Sequence, residues 1–261
     1  MSELLEIKEK KVMRSLIIKS LSFLLLSCLI SACTSGEFNS SSMQKLRAGA
    51  IVSTTGINES RLNELFTYST IPDSIWSEMQ GKTYKDNPYI KREDLRYVKF
   101  LHHDFEGKVR VGEMICNKAI ARDLSEIFYE LYLNNYLIER AVLPDYYDAD
   151  DEKQMQANNT SSFCYRPVAG TAVLSNHAKG MAVDINTLYN PYCKVRKDGT
   201  LYVQPSTATQ YCDREASFSH KIDKNDLAYK LFTAHGFLWG GDWKSVKDYQ
   251  HFEKAERVIK E

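Results

Sequence analysis

Two short stretches hold the residues best suited to chemistry. Residues 175–186 read Ser-Asn-His-Ala-Lys-Gly-Met-Ala-Val-Asp-Ile-Asn and set His177 and Asp184 seven positions apart, with Gly180 between them. An imidazole nitrogen and a carboxylate oxygen are both zinc ligands, and a catalytic zinc typically keeps about three protein ligands and one open position for water. The pair is therefore part of a candidate metal site, with a satisfied core histidine as the plain alternative. The other histidines are His102, His103, His220, His235 and His251. His251 stands out because Asp248 lies three residues upstream, where a base can sit beside a metal without binding it. The His-Glu-x-x-His pattern of helix-borne zinc peptidases is absent. His102 and His103 read as exposed turn residues, and His220 and His235 as structural.

These groups need elements to hold them. After Gly180 the residues alternate, so Met181, Val183 and Ile185 point one way and Ala182, Asp184 and Asn186 the other. Such a half-buried strand carries Asp184 opposite its apolar anchors, and Gly180 suits the turn that presents His177. Upstream, the pattern predicts a helix over 58–68 and a short one over 75–79. Strands follow at 95–101 and 109–115, flanking a hairpin turn at 102–107. Residues 119–136 form the clearest helix, with Ile120, Leu124, Ile127, Phe128, Leu131 and Tyr132 on one stripe. Residues 144–159 read as a loop, whose acidic run lacks the ligand spacing of a calcium loop. Residues 161–167 read as a strand carrying Arg166. Residues 188–218 read as a lid or hairpin-rich insertion, 225–234 as a helix, 239–243 as a tight loop and 249–252 as a closing strand.

With 34 basic and 34 acidic residues the chain is formally neutral, so nothing suggests a nucleic-acid partner. Residues 16–30 are largely apolar after Lys8, Lys10, Lys11 and Arg14, as in a secretory leader, although Met13 would give a more typical start. The leader ends in Leu-Ile-Ser-Ala-Cys, which resembles a bacterial lipobox; this implies cleavage after residue 32, lipidation of Cys33 and a lipid-anchored, periplasm-facing protein. Residues 33–57 are expected to be the lipidated cysteine and a polar tether, and 58–261 the folded domain. A monomer is expected. Cys116, Cys164, Cys193 and Cys212 then remain for an oxidising compartment. Four cysteines allow three pairings. Cys193–Cys212 would close the insertion, and Cys116–Cys164 would join two predicted strands.

Ser-x-His-x-x-Gly-x-x-x-Asp at 175–184, followed by Asp-x-x-His at 248–251, resembles the VanY/VanX-type D-alanyl-D-alanine carboxypeptidases and the related L-alanyl-D-glutamate endopeptidases. Gly112-Glu113, Asn117, 158–161, Asn190-Pro191-Tyr192 and Trp239-Gly240-Gly241 extend the likeness over about 71–253. The resemblance implies an α+β fold in which a small antiparallel sheet carries one Zn²⁺, packed against helices. It implies His177, Asp184 and His251 as ligands, Asp248 as acid/base and Arg166 as a clamp on the substrate carbonyl. Ser175 and Trp239 are the candidate substrate contacts, with Trp243 as a second wall. A salt bridge from Arg166 to the 148–152 loop, and burial of both tryptophans, are the structural alternatives. Thr187 stands where relatives often have proline, and Asp248 where some have glutamate. The function expected is zinc-dependent hydrolysis of peptidoglycan stem peptides. The alternative is a zinc-containing binding lipoprotein that has lost catalysis.

Overall fold

The computed structural model describes residues 38–168 and 171–255. The leader and Cys33 lie outside the described residues. Three antiparallel sheets of three strands each are present among the described residues, rather than one. The first joins β1 (Thr67–Ser69), β2 (Leu95–His103) and β3 (Val109–Asn117). The second has the order β4-β9-β7, with β4 at Ala182–Asp184, β7 at Leu238–Trp239 and β9 at His251–Glu253. The third has the order β6-β5-β8, with β5 at Tyr192–Val195, β6 at Leu201–Gln204 and β8 at Lys247–Asp248.

Six α-helices accompany them among the described residues: α1 (Ser40–Gln44), α2 (Glu59–Asn63), α3 (Asp73–Met79), α4 (Ala121–Leu133), α5 (Asp151–Gln156) and α6 (Leu227–Ala234). The predicted stripe of α4 lies on the first sheet, where Leu124, Ile127, Phe128 and Leu131 are buried and Phe128 stacks on Phe100 at 3.9 Å. Each such side chain contributes roughly 1.5–3 kcal/mol by leaving water. Val98, Phe100, Met114 and Cys116 share this core with Met181, Val183 and Ile185 of the β4 region. The opposite face of the sheet packs Leu95, Tyr97 and Ile115 against Ile75 and Met79 of α3 and against Phe163. The sheet is covered on both faces, so its strands show only a loose alternation.

Several expectations change. The helix expected over 58–68 stops at Asn63, because Thr67 and Tyr68 pair with Lys99 and Val98 of β2. The 144–159 loop contains a 3-10 turn, Pro144–Tyr147, and α5, whose first turn is capped by Asp150 accepting from the Lys153 N–H. Residues 161–167 are extended but make only isolated bridges, Ser161 with Asp184 and Pro167 with Leu174. His102 is not a turn residue. It is buried on β2 with Nδ1 2.8 Å from the Ile138 carbonyl, and burial lowers its pKa to about 4. His103 stacks on Tyr132 at 4.7 Å.

The polar segment before Asn58 is also part of the fold. Met43 is buried in the main core, and Lys99 on β2 and Glu113 on β3 lie directly across from each other, both buried. Lys99 donates to the carbonyls of Gln44 and Leu46 at 3.2 and 2.5 Å, and Glu113 accepts from the Ala48 N–H at 2.8 Å. Two buried charges thus recruit backbone from this stretch, and Phe38, Leu46, Val52 and Ile57 pack against the same core.

Candidate metal centre and its cleft

Register builds the site. In the antiparallel pair β4–β9, Asp184 sits directly opposite His251, so their side chains leave the same face of the sheet. His177 arrives from a 3-10 turn, His177–Lys179, closed by Gly180 at φ 68°. A Cβ at Gly180 would come 2.6 Å from the Asn117 backbone nitrogen, so glycine serves both the turn and the packing. Asp248 enters from β8, which pairs with β5 through Tyr192. The groups meet where the second and third sheets adjoin, in a cleft of about 770 Å³.

Three inward side chains define the centre. His177 Nε2 lies 3.1 Å from His251 Nδ1 and 3.2 Å from Asp184 Oδ2, and His251 Nδ1 lies 3.0 Å from Asp184 Oδ1. Ligand atoms around a tetrahedral zinc, each about 2.0–2.1 Å from the ion, are separated by roughly 3.3 Å. The donor set and its spacing fit a small divalent cation. The outer nitrogens are held as well: His177 Nδ1 donates to the Ser162 carbonyl at 2.6 Å, and His251 Nε2 lies 3.1 Å from Glu253 Oε2. Glu253 in turn accepts from Asn176 at 2.6 Å. Such partners fix which nitrogen faces the metal.

Electrostatics follow from this crowding. Burial opposes ionisation of Asp184, but the two imidazoles overcome it and hold the carboxyl well below the usual range. Burial likewise opposes a charged His251, while its bonds to Asp184 and Glu253 raise its pKa to about 10. Asp248 is pushed upward, chiefly by burial and further by the neighbouring Asp184, with His251 pulling the other way. Gln250 Nε2 donates to Asp248 at 3.2 Å. A Cβ on Gly240 would meet the Asp248 carbonyl oxygen at 2.5 Å and the His251 Cβ at 3.2 Å, so this glycine lets its loop close against the site.

The remaining site residues divide. Arg166 lines the cleft, and its Nε forms an ion pair with Asp151 at 2.5 Å, the salt bridge named as its structural alternative. Ser175 also lines the cleft and accepts from the His177 N–H at 3.2 Å, bracing that turn. Trp239 is not a substrate wall. It belongs to the main core, and its indole donates to the Tyr249 carbonyl at 2.9 Å. Trp243 lines the cleft instead, its ring 5.3 Å from His251. Cys193 and Cys212 form a disulfide. Cys116 and Cys164 do not pair; both are free and buried. Cys116 belongs to the α4 core, near Asp123, whereas Cys164 lies outside that core, near Asp151 and Arg166. Glu253 and Ser162 escaped sequence reasoning. Glu253 shares a strand face with His251 two residues away, a usable signal, but Ser162 acts through its carbonyl and leaves none.

A second group, Asp123, Glu126 and His235, has metal-like spacing. Its cations are already supplied: Lys254 binds Asp123 at 2.6 Å and Arg122 binds Glu126 at 2.9 Å.

Residues 169–254 match the family model described as D-alanyl-D-alanine carboxypeptidase, and this span contains His177, Asp184, Asp248 and His251. Over that span the chain is similar to the D-alanyl-D-alanine carboxypeptidase family. No solved structure matches the chain. The family match begins three residues after Arg166 and leaves the first sheet and α4 outside it. Those elements nonetheless carry the site, since Met181, Val183 and Ile185 of the matched span are anchored in their core.

Proposed function

We propose that this protein is a zinc-dependent peptidase acting on peptidoglycan stem peptides, of the D-alanyl-D-alanine carboxypeptidase or L-alanyl-D-glutamate endopeptidase type. The observation that carries the reading is the convergence of His177, Asp184 and His251 at 3.0–3.2 Å with Asp248 in the same cleft. Zinc held there supplies Lewis acidity and lowers the pKa of water toward neutrality. Asp248, in its ionised form, takes the proton of the attacking water and returns it to the leaving amine. Its raised pKa suits both directions of that transfer. Ser162 and Glu253 keep the two imidazoles from turning, so the ligand nitrogens stay aimed inward. Arg166, ion-paired with Asp151 at the cleft wall, is the candidate donor to the substrate carbonyl. The lipobox at 29–33 supports a periplasm-facing, lipid-anchored location, close to the wall.

The competing reading, a binding lipoprotein without catalysis, calls for a missing base, and Asp248 is in place. The test is to incubate the zinc-loaded protein with purified muropeptides and weigh the products. Loss of one terminal alanine indicates a carboxypeptidase, and release between L-Ala and D-Glu an endopeptidase. Unchanged masses throughout overturn the proposal.

A further inference from the structure

One wall of the cleft is the β5–β6 hairpin, and it presents an uncommon choice of side chains there. Tyr192 and Lys194 alternate with Cys193 and Val195 along β5, and the alternation runs on to Arg196. Register places Tyr192 opposite Gln204 and Lys194 opposite Tyr202, and these four residues and Arg196 all line the cleft. The apolar residues take the other face, where Val195 and Leu201 at the tip are 67% and 44% exposed. A hairpin serving only solubility would turn its cations to water and its valine and leucine inward. Here the cations face the cleft.

Neither cation forms a salt bridge among the described residues, and Arg196 is only attracted at longer range by the exposed Asp198 carboxylate. The acids lining the cleft are Asp151, Asp184, Asp248 and Glu253. Asp151 is paired with Arg166, Asp184 with both histidines, Glu253 with His251 and Asn176, and Asp248 with Gln250. Asp198, near the hairpin tip, is bonded to Thr200. Arg196 lies over the Tyr202 ring at 4.7 Å, a contact that orients the guanidinium without neutralising it. Lys179, on the His177 turn, is the remaining cleft cation without a carboxylate partner among the described residues.

Position indicates what the hairpin would meet. Tyr192 is paired with Asp248. At about 3.3 Å per residue, Lys194 and Arg196 are rooted roughly 7 and 13 Å further along the strand. A terminal carboxylate on the residue next to the cut would lie within about 4 Å of the scissile bond, nearer than either root. We propose that Lys194 and Arg196 form a carboxylate-recognition subsite that selects acidic peptides, engaging a carboxylate carried two to four residues from the scissile bond. The subsite rests on the peptidase reading of the neighbouring centre.

The probe is a fluorescein-labelled stem pentapeptide, L-Ala-D-Glu-meso-diaminopimelate-D-Ala-D-Ala, in three forms: unmodified, with its internal carboxylates amidated, and with its C-terminus amidated. Binding to the metal-free protein is read by anisotropy and KM on the zinc-loaded protein, for wild type, K194M/R196M, K194R/R196K and K179M. In the wild type, one amidated form should bind about fivefold more weakly, as expected for exposed ion pairs, and the difference should shrink in high salt. Which form it is identifies the carboxylate as internal or terminal. K194M/R196M should bind all three forms alike, and K194R/R196K should restore the difference. Discrimination that persists in K194M/R196M, or that is lost only in K179M, overturns the subsite. If binding follows the hairpin but the zinc-loaded wild type cuts none of the peptides, the peptidase reading fails and only carboxylate binding by the hairpin stands.

Discussion

At the residue scale, the centre is a proton-holding site until a metal enters. The bonds of His251 to Asp184 and Glu253 raise its pKa to about 10 against the effect of burial, which favours the protonated imidazole at neutral pH in the metal-free protein. A cation binding through Nδ1 must displace that proton, because metal ligands have to be deprotonated. Zinc uptake at pH 7.5 should therefore release about one proton per ion, measurable by calorimetry in buffers of different ionisation enthalpy. Zinc uptake with no buffer dependence would show that His251 is already neutral. Gly240 makes a second test. Its Cβ position overlaps the Asp248 carbonyl and crowds the His251 Cβ, so Gly240→Ala must shift the loop off both residues. A loss of activity of about tenfold or more is expected, with α4 and the first sheet intact by circular dichroism.

At the scale of elements, the site depends on which strands pair. Asp184 and His251 were legible as candidates because their types and motif spacing show in the sequence. Their facing register was not, since it joins residues 67 positions apart. The same limit explains the cysteines. Cys193–Cys212 closes a local hairpin unit and could be read from loop length, whereas pairing Cys116 with Cys164 required knowing where each lies relative to the α4 core. Trp239 was misplaced for a similar reason, because a four-residue offset decided that it faced the core while Trp243 faced the cleft. The disulfide spans 19 residues and braces the hairpin that holds β8 and Asp248. Cys193→Ser/Cys212→Ser should lower unfolding stability by about 2–3 kcal/mol in urea titration. The N-cap of α6 offers a pH test. Burial raises the Asp226 carboxyl to about 6, although it accepts from Ala228, Tyr229 and Tyr136. The folded state then holds this proton more tightly than the unfolded chain does. The group's contribution is full below about pH 4 and is lost as pH rises through 6. Asp226→Asn keeps a good cap and removes the titration. Its stability should exceed that of wild type at pH 7 and change less between pH 4 and 6.

At the scale of the whole molecule, the family-matched span does not stand apart from the rest of the fold. β4 is anchored by Met181, Val183 and Ile185 in a core shared with α4 and β2–β3, and that core also takes in Met43 of the segment before the predicted domain start. Composition concealed that segment because its scattered apolar residues show no period, and backbone hydrogen bonds to Lys99 and Glu113 help to hold it in place. On the proposed function, this framework holds a metal at His177, Asp184 and His251, with Asp248 as the proton carrier beside it. The most direct measurement compares wild type and Asp248→Asn, each with its zinc content determined, for the rate of stem-peptide cleavage. Equal zinc stoichiometry is expected, with a rate lower by about 10²–10⁴-fold in the variant. A fully zinc-loaded variant cutting at the wild-type rate would contradict the proposal.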